Sequence, residues 1–178
     1  MDQKIIKEIA DSLKRGEIGI IPTDTIYGIV CSALNKESVK KLYKIRKRNL
    51  NKPMIILIGS IKDLLIFGIS PQKEILKKYW PGKVSIIIEC KNKEFKYLHR
   101  GKNSLAFRLP EDSDLIKILK LSGPIVAPSA NIEGEKPSQN INQAKKYFSD
   151  KVSFYIDKGI LKSKPSKIIS LEEEVIRK

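Results

Sequence analysis

The segment Pro22-Thr23-Asp24-Thr25-Ile26-Tyr27-Gly28 sets two hydroxyls, a carboxylate and a phenol directly behind the apolar run Ile18-Gly19-Ile20-Ile21. An apolar run stopped by proline reads as a short buried strand, and Gly28 is expected to close the turn that follows. In open α/β sheets small ligands bind in the crevice beyond the carboxyl ends of strands, so this cluster is a candidate site. The same residues also suit an Asp/Thr-rich turn that only satisfies its own backbone, and the segment alone supports both readings.

Three more polar clusters share this character. Arg46-Lys47-Arg48 with Lys52-Pro53 stands at a helix end before an apolar strand. Cations there can also cap a helix C-terminus, worth about 0.3 to 1 kcal/mol. Ser104 and Arg108 lie four apart on a strand, hence on one face. Arg108 in so apolar a strand is costly to bury alone and is expected to meet an anion. Ser129-Ala130-Asn131 follows Ile125-Val126-Ala127-Pro128 and could equally be an ordinary Ser/Asn turn. Taken together, the four clusters point to a convergent pocket for anions.

Composition sharpens the choice of residues. The formal net charge is +15, which suggests a polyanionic partner such as nucleotide or RNA. Ile and Lys are both abundant, so part of that charge is solvated surface. Arginine offers a planar five-donor fork that lysine cannot copy. Only six of the 35 basic residues are arginines, so some are expected where carboxylate or phosphate geometry needs the fork. Arg15 and Arg100 carry no such expectation.

Several chemistries find no support. P-loop, GxGxxG, HExxH, CxxC, EF-hand and GxSxG patterns are absent. His99 is the single histidine, which disfavours His-based metal sites and Ser/His triads. Cys31 and Cys90 lack metal spacing and are expected to be buried free thiols. No apolar run approaches the roughly 18 to 20 residues of a membrane span, and the N-terminal pattern is an amphipathic helix rather than a signal peptide, so a cytoplasmic protein is expected.

The elements that must position these groups follow from periodicity. Helices are expected at about 3–15, 38–47, 61–67, 71–79, 115–121 and 140–148. Strands are expected at about 18–21, 54–58, 84–89, 104–109, 125–127, 154–157 and 168–171, with 54–58 continuous in apolar character as befits a central position. The order predicts an α/β fold, one domain spanning 1–178 with a mixed sheet flanked by helices. A chain of 178 residues can bury roughly 70% of the surface it exposes unfolded.

PTDTIYG, a basic Arg-x-Arg element, WPG, SLAFRLP and APSAN, in this order, resemble the YrdC-like family, whose members include the threonylcarbamoyl-AMP synthases. The likeness runs from about Gly16 to Arg177. It implies a twisted mixed sheet with a basic concave face. It implies that L-threonine, bicarbonate or CO2, and ATP with Mg2+ give L-threonylcarbamoyl-adenylate and pyrophosphate, the carbamoyl group passing later to an adenosine of certain tRNAs through threonylcarbamoyl-transferase proteins. Metal ligands are not implied.

By the same resemblance, Thr25, Tyr27, Arg108, Ala127 and Ser166 are the threonine-side residues, with Thr23 shaping the same wall. Arg46, Arg48, Lys52, Ser104, Ser129, Asn131, Ser138 and Arg177 are the ATP-side residues. Arg46, Arg48 and Arg108 would act by positioning and charge stabilisation, with no covalent nucleophile. The chain departs from the family pattern at Arg46 (usually lysine), Asn49 (usually proline), Leu57 (histidine in some relatives) and Lys167 (usually threonine). Two alternatives compete: a non-catalytic RNA-binding YrdC module, and a carbamoyl-transfer domain of the hydrogenase-maturation type, which usually carries zinc-binding and acylphosphatase-like segments that this chain lacks.

Overall fold

The computed structural model describes residues 1–171 and 175–177. Nine strands of the described residues join in one mixed sheet, in the order β7-β1-β2-β6-β3-β5-β4-β8-β9. In chain order these are β1 (Gly19–Pro22), β2 (Tyr27–Ser32), β3 (Ile56–Leu57), β4 (Val84–Glu89), β5 (Ser104–Arg108), β6 (Ile125–Val126), β7 (Phe154–Tyr155), β8 (Lys167–Ser170) and β9 (Val175–Arg177). The helices are α1 (Gln3–Lys14), α2 (Lys36–Ile45), α3 (Lys73–Lys77), α4 (Lys96–His99), α5 (Ser113–Ser122) and α6 (Ile141–Phe148), with a 3-10 helix at Ile61–Phe67.

Side-chain caps set most helix starts. Asp2, Asn35, Asp112 and Asn140 each accept from a backbone N–H of the first turn of α1, α2, α5 and α6.

The first correction concerns Gly28. It does not close a turn: Tyr27 pairs with Pro22 and Gly28 with Ile21, so both belong to β2, antiparallel to β1. The turn is Thr23–Ile26 alone. The run Ile29-Val30-Cys31 after Gly28 carried the strand signal, and the glycine masked it. Gly28 is needed for a different reason: a Cβ there would meet Thr23 Cγ2 at 3.3 Å and the Pro128 carbonyl at 3.5 Å. The second correction is that only Ile56 and Leu57 of the 54–58 run pair as a strand, although they lie centrally, parallel to β5 and antiparallel to β6.

Strand alternation divides the core. Ile20, Ile29, Ile56, Ile86, Ile88, Leu105, Phe107 and Val126 face one side, beneath α2, α4, α6 and the 3-10 helix. Ile21, Val30, Leu57 and Ile125 face the other, beneath α1 and α5. Those two helices cover only the β1-β2-β6-β3 part of that second face. By alternation Ser104, Ala106 and Arg108 of β5 and Ile87 of β4 also point to it, and there a cavity stands in place of a helix.

Both cysteines are free and buried, as expected. Arg15 and Arg100, of which nothing was expected, both have partners. Arg15 pairs with Glu17 at 2.8 Å, and Arg100 stacks over Tyr43 at 4.6 Å from the ring centroid. No helix among the described residues is long and apolar enough to cross a membrane.

Phe107 is fully buried and meets the Phe67 ring edge-on at 5.0 Å between centroids. Phe107→Ala is expected to lower stability by about 3–5 kcal/mol, read from the midpoint of urea unfolding. A loss under about 1 kcal/mol would mean that this side of the sheet is not a packed core.

Candidate functional site

The cavity has a volume of about 560 Å3 and opens where the short central strands stop. The chain before β3 (Met54, Ile55) and the chain after β6 (Ala127, Pro128, Ser129) leave the same end of the sheet, because those strands are antiparallel. The β1–β2 turn closes one side, β5 supplies the floor, and Ser166 with β9 closes the far wall.

At the hairpin end, Arg108 Nη2 lies 3.0 Å from Asp24 Oδ1, with 5% and 2% of the two side chains exposed. The geometry is that of an ion pair rather than a linear hydrogen bond. Arg108 Nη1 donates to Thr25 Oγ1 at 3.3 Å, Thr25 Oγ1 lies 3.0 Å from Thr23 Oγ1, and Thr23 Oγ1 donates to the Ile26 carbonyl at 2.7 Å. Arg108 Nε, also buried, has no hydrogen-bond partner among the described residues. Burial pushes the Asp24 carboxyl above its ordinary range, and Arg108 opposes that rise. The guanidinium remains charged because its intrinsic affinity for the proton is so high. The anion expected to meet Arg108 is therefore, first, Asp24. Nothing in the turn's sequence singled out Asp24 from its hydroxyl neighbours.

The far wall is also cationic. Arg177 donates through Nε and Nη2 to the Ser166 carbonyl at 3.2 and 2.8 Å, and through Nη2 to Ser166 Oγ at 3.3 Å. Ser166 Oγ is 2.9 Å from Ser85 Oγ. Arg48 donates to the Lys52 and Pro53 carbonyls at 3.1 and 2.9 Å. Burial and the like charge of Arg48 both pull Arg177 below its usual value, as for cations facing a common space. Among the described residues the lining includes Arg48, Lys102, Arg108 and Arg177 and no carboxylate. Lys102 carried no sequence signal beyond its place two residues ahead of Ser104.

The remaining expected residues divide. Thr25, Tyr27, Ala127, Ser104, Ser129 and Ser166 line the cavity with Arg48, Arg108 and Arg177. The Tyr27 hydroxyl is already engaged. It lies 2.8 Å from the Gly159 carbonyl and 3.1 Å from Asp157 Oδ1, and accepts from Lys158 N, so only its ring is offered. Four residues placed on the ATP side do not line the cavity. Arg46 is 2% exposed and is bonded to the loop behind it: Nε donates to the Asn131 carbonyl at 3.0 Å, and Nη2 to Asn131 Oδ1 at 3.2 Å and Ser129 Oγ at 3.4 Å. Burial and neighbouring Arg48 pull it to about 10. Asn131 turns its amide to the Ile132 and Glu135 carbonyls. Ser138 is buried and donates to the Ala130 carbonyl. Lys52 pairs with Glu133 at 3.0 Å on the surface. Arg46, Asn131 and Ser138 thus form the frame that sets the Ser129 loop. Leu57, at the position where some relatives have histidine, is buried under α1 and α5.

Fold and site together define an α/β protein with a cation-lined crevice over a half-uncovered sheet. The chain belongs to the Sua5/YciO/YrdC family, whose model, described as "Telomere recombination", matches residues 11–178. A putative threonylcarbamoyl-AMP synthase of Methanocaldococcus jannaschii is 32% identical over 177 residues, covering 98% of this chain and 84% of that protein. The threonylcarbamoyl-AMP synthase of Bacillus subtilis is 35% identical over 138 residues, covering 75% of this chain and 40% of that protein. The solved structure of Pyrococcus abyssi Sua5 complexed with L-threonine superposes with a TM-score of 0.88 at 28% identity, covering 97% of this chain and 52% of that one. The chain thus spans about half, or less, of the length of the last two. Escherichia coli YciO, at 18% identity and a TM-score of 0.84, shares the fold.

Removing one partner of a buried ion pair leaves the other uncompensated, at about 3–5 kcal/mol. Asp24→Ala is expected to destabilise by that amount, and Asp24→Ala/Arg108→Met by clearly less than the sum of the two single changes, measured by urea unfolding of the double-mutant cycle. Strict additivity would show that the two side chains do not pair.

Proposed function

We propose that this chain is a threonylcarbamoyl-AMP synthase, joining L-threonine, bicarbonate or CO2, and ATP into L-threonylcarbamoyl-adenylate with release of pyrophosphate. The observation that carries the reading is the anchored Arg108. Its fork is held by Asp24 and Thr25 at the closed end of a cavity whose other cations meet no lining carboxylate among the described residues. Relatives that bear the synthase name, and a related structure that holds L-threonine, support it.

The chemistry asks for two anions held side by side. The threonine amine adds to CO2 to give an N-carboxylate, and one of its oxygens attacks the α-phosphorus of ATP. The bond from that phosphorus to the pyrophosphate oxygen breaks, and its electron pair leaves with pyrophosphate. Arg108 receives the threonine carboxylate through its unused N–H groups, with the Thr25 hydroxyl and the Tyr27 ring and Ala127 as walls. Arg48, Arg177, Ser104 and Ser129 take the nucleotide side, where cations offset charge as it builds on the leaving group. Among the described residues the lining holds no His, Asp or Glu to activate its hydroxyls. Catalysis therefore rests on positioning and electrostatics. Arg46, Asn131 and Ser138 contribute by holding the Ser129 loop.

Mg2+ accompanies ATP in this reading and supplies further charge screening. The described residues do not make a resident site for it. No group of three or more His, Cys, Asp or Glu is gathered among the described residues, and both Asp24 oxygens are engaged, one by Arg108 and one by the Glu111 N–H. Mg2+ is then held by phosphates and water. The product's activated carbamoyl group is consumed by transferases that act on a tRNA adenosine. A cavity of this size suits small molecules better than a polynucleotide, so the synthase reading is preferred to a non-catalytic RNA-binding module.

Purified protein with ATP, Mg2+, bicarbonate and L-threonine is expected to release pyrophosphate only when threonine is present. Release that ignores threonine, or none at all, would reject the assignment. Arg108→Lys keeps the charge but not the fork, and is expected to raise the KM for threonine about 10- to 100-fold.

A further inference from the structure

Lys102 stands just ahead of β5 and lines the cavity together with Ser104, Ala106 and Arg108. Ser104, Ala106 and Arg108 are spaced by two residues along β5, so alternation sends them to one side, and Lys102 joins the same lining from the turn ahead of the strand, before Asn103 with its left-handed φ of 53°. At about 3.3 Å per residue the row from Ser104 to Arg108 spans about 13 Å, with Lys102 beyond its Ser104 end. Arg108 marks its closed end, held by Asp24, and Lys102 marks the other.

The charges along the row are unequal. Arg108 is offset by Asp24, whereas the Lys102 ammonium has no hydrogen-bond or ion-pair partner among the described residues, its backbone N–H alone being engaged by the His99 carbonyl. Other lysines near the cavity do find carboxylates: Lys52 meets Glu133 at 3.0 Å and Lys83 meets Glu111 at 3.1 Å. Arg46, the motif cation that sequence placed on the phosphates, is withdrawn into the Ser129–Asn131 loop. One phosphate-side position is therefore left to another cation.

We infer that Lys102 is a phosphate-binding residue of this site, contacting the pyrophosphate end of ATP and taking the part that Arg46 has given up for holding the loop. The inference rests on the synthase reading. Phosphoryl transfer places attacking and leaving oxygens roughly in line on opposite sides of phosphorus. With the threonine carboxylate at Arg108, the carbamate attacks from that end and pyrophosphate departs toward the other, where Lys102 lies. As the α-phosphorus–oxygen bond breaks, the departing oxygen gains charge, and the Lys102 ammonium donates a hydrogen bond to the pyrophosphate without giving up its proton.

The test is calorimetric titration of the full chain with inorganic pyrophosphate, comparing the wild type with Lys102→Met, Lys102→Arg and Lys7→Met. Lys7 is exposed on α1, so its variant removes one charge away from the cavity. The wild type is expected to bind. Lys102→Met is expected to weaken binding about tenfold, Lys102→Arg to keep most of it, and Lys7→Met to match the wild type. In turnover, Lys102→Met is expected to raise the KM for ATP and leave that for threonine unchanged. Equal pyrophosphate affinity in Lys102→Met and wild type overturns the inference, as does an equal loss in Lys7→Met or no binding by the wild type. The titration needs no turnover. Weaker binding in Lys102→Met therefore supports the phosphate contact even where absent threonine-dependent release overturns the synthase reading alone.

Discussion

The Asp24–Arg108 ion pair ties the first hairpin to the middle of the sheet, and the geometry of the crevice depends on it. Two strands, β6 and β3, separate β2 from β5 in the sheet, and each pairs over only two residues. Their early end leaves a gap that the β1–β2 turn leans across to reach Arg108. Dehydrating both groups costs several kcal/mol per ion, so the contact persists only because each charge meets the other with further hydrogen bonds around it. Thr25 and Thr23 provide that second layer. Held in this way, Arg108 is fixed among the residues that line the cavity.

A second division of labour lies between cations that face the ligand space and cations that build its walls. Arg46 and Arg48 are two residues apart, yet only Arg48 lines the cavity. Arg46 follows α2 directly, and its side chain enters the loop after β6, where Asn131 presents both a carbonyl and a side-chain oxygen. A guanidinium can satisfy several acceptors at fixed angles, which a lysine ammonium at this position could not do in the same plane. The departure from lysine at position 46 is thus a change of role as well as of reach.

Much of the architecture was legible because local signals agreed. Val84–Glu89 has the boundaries expected of it, β5 ends one residue short of expectation, and α1, α2, α5 and α6 lie within a few residues of their expected spans. Periodicity and caps act over one or two turns, so sequence carries them whole. Three elements were not legible. α4, at four residues, is too short for a helical period to register. β2 was hidden by Gly28, a residue that usually signals a turn and here permits close backbone approach. β9 is a short exposed edge strand whose pairing with β8 no local pattern announces.

The chain by itself determined the residue types of the site and their order: the polar turn after the first strand, the basic element, Ser104 with Arg108 on one face, and the Ser129–Asn131 loop. It also determined that any arginine buried on β5 would need an anion. Only the tertiary structure decided which anion that is, and which residues of each motif point inward. Burial of Arg46, Asn131 and Ser138, the tethering of the Tyr27 hydroxyl to Gly159, and the arrival of Arg177 beside Ser166 all depend on contacts between residues far apart in the chain. Side-chain direction at a loop is set by whichever distant partner satisfies its polar atoms, and no local spacing encodes that choice.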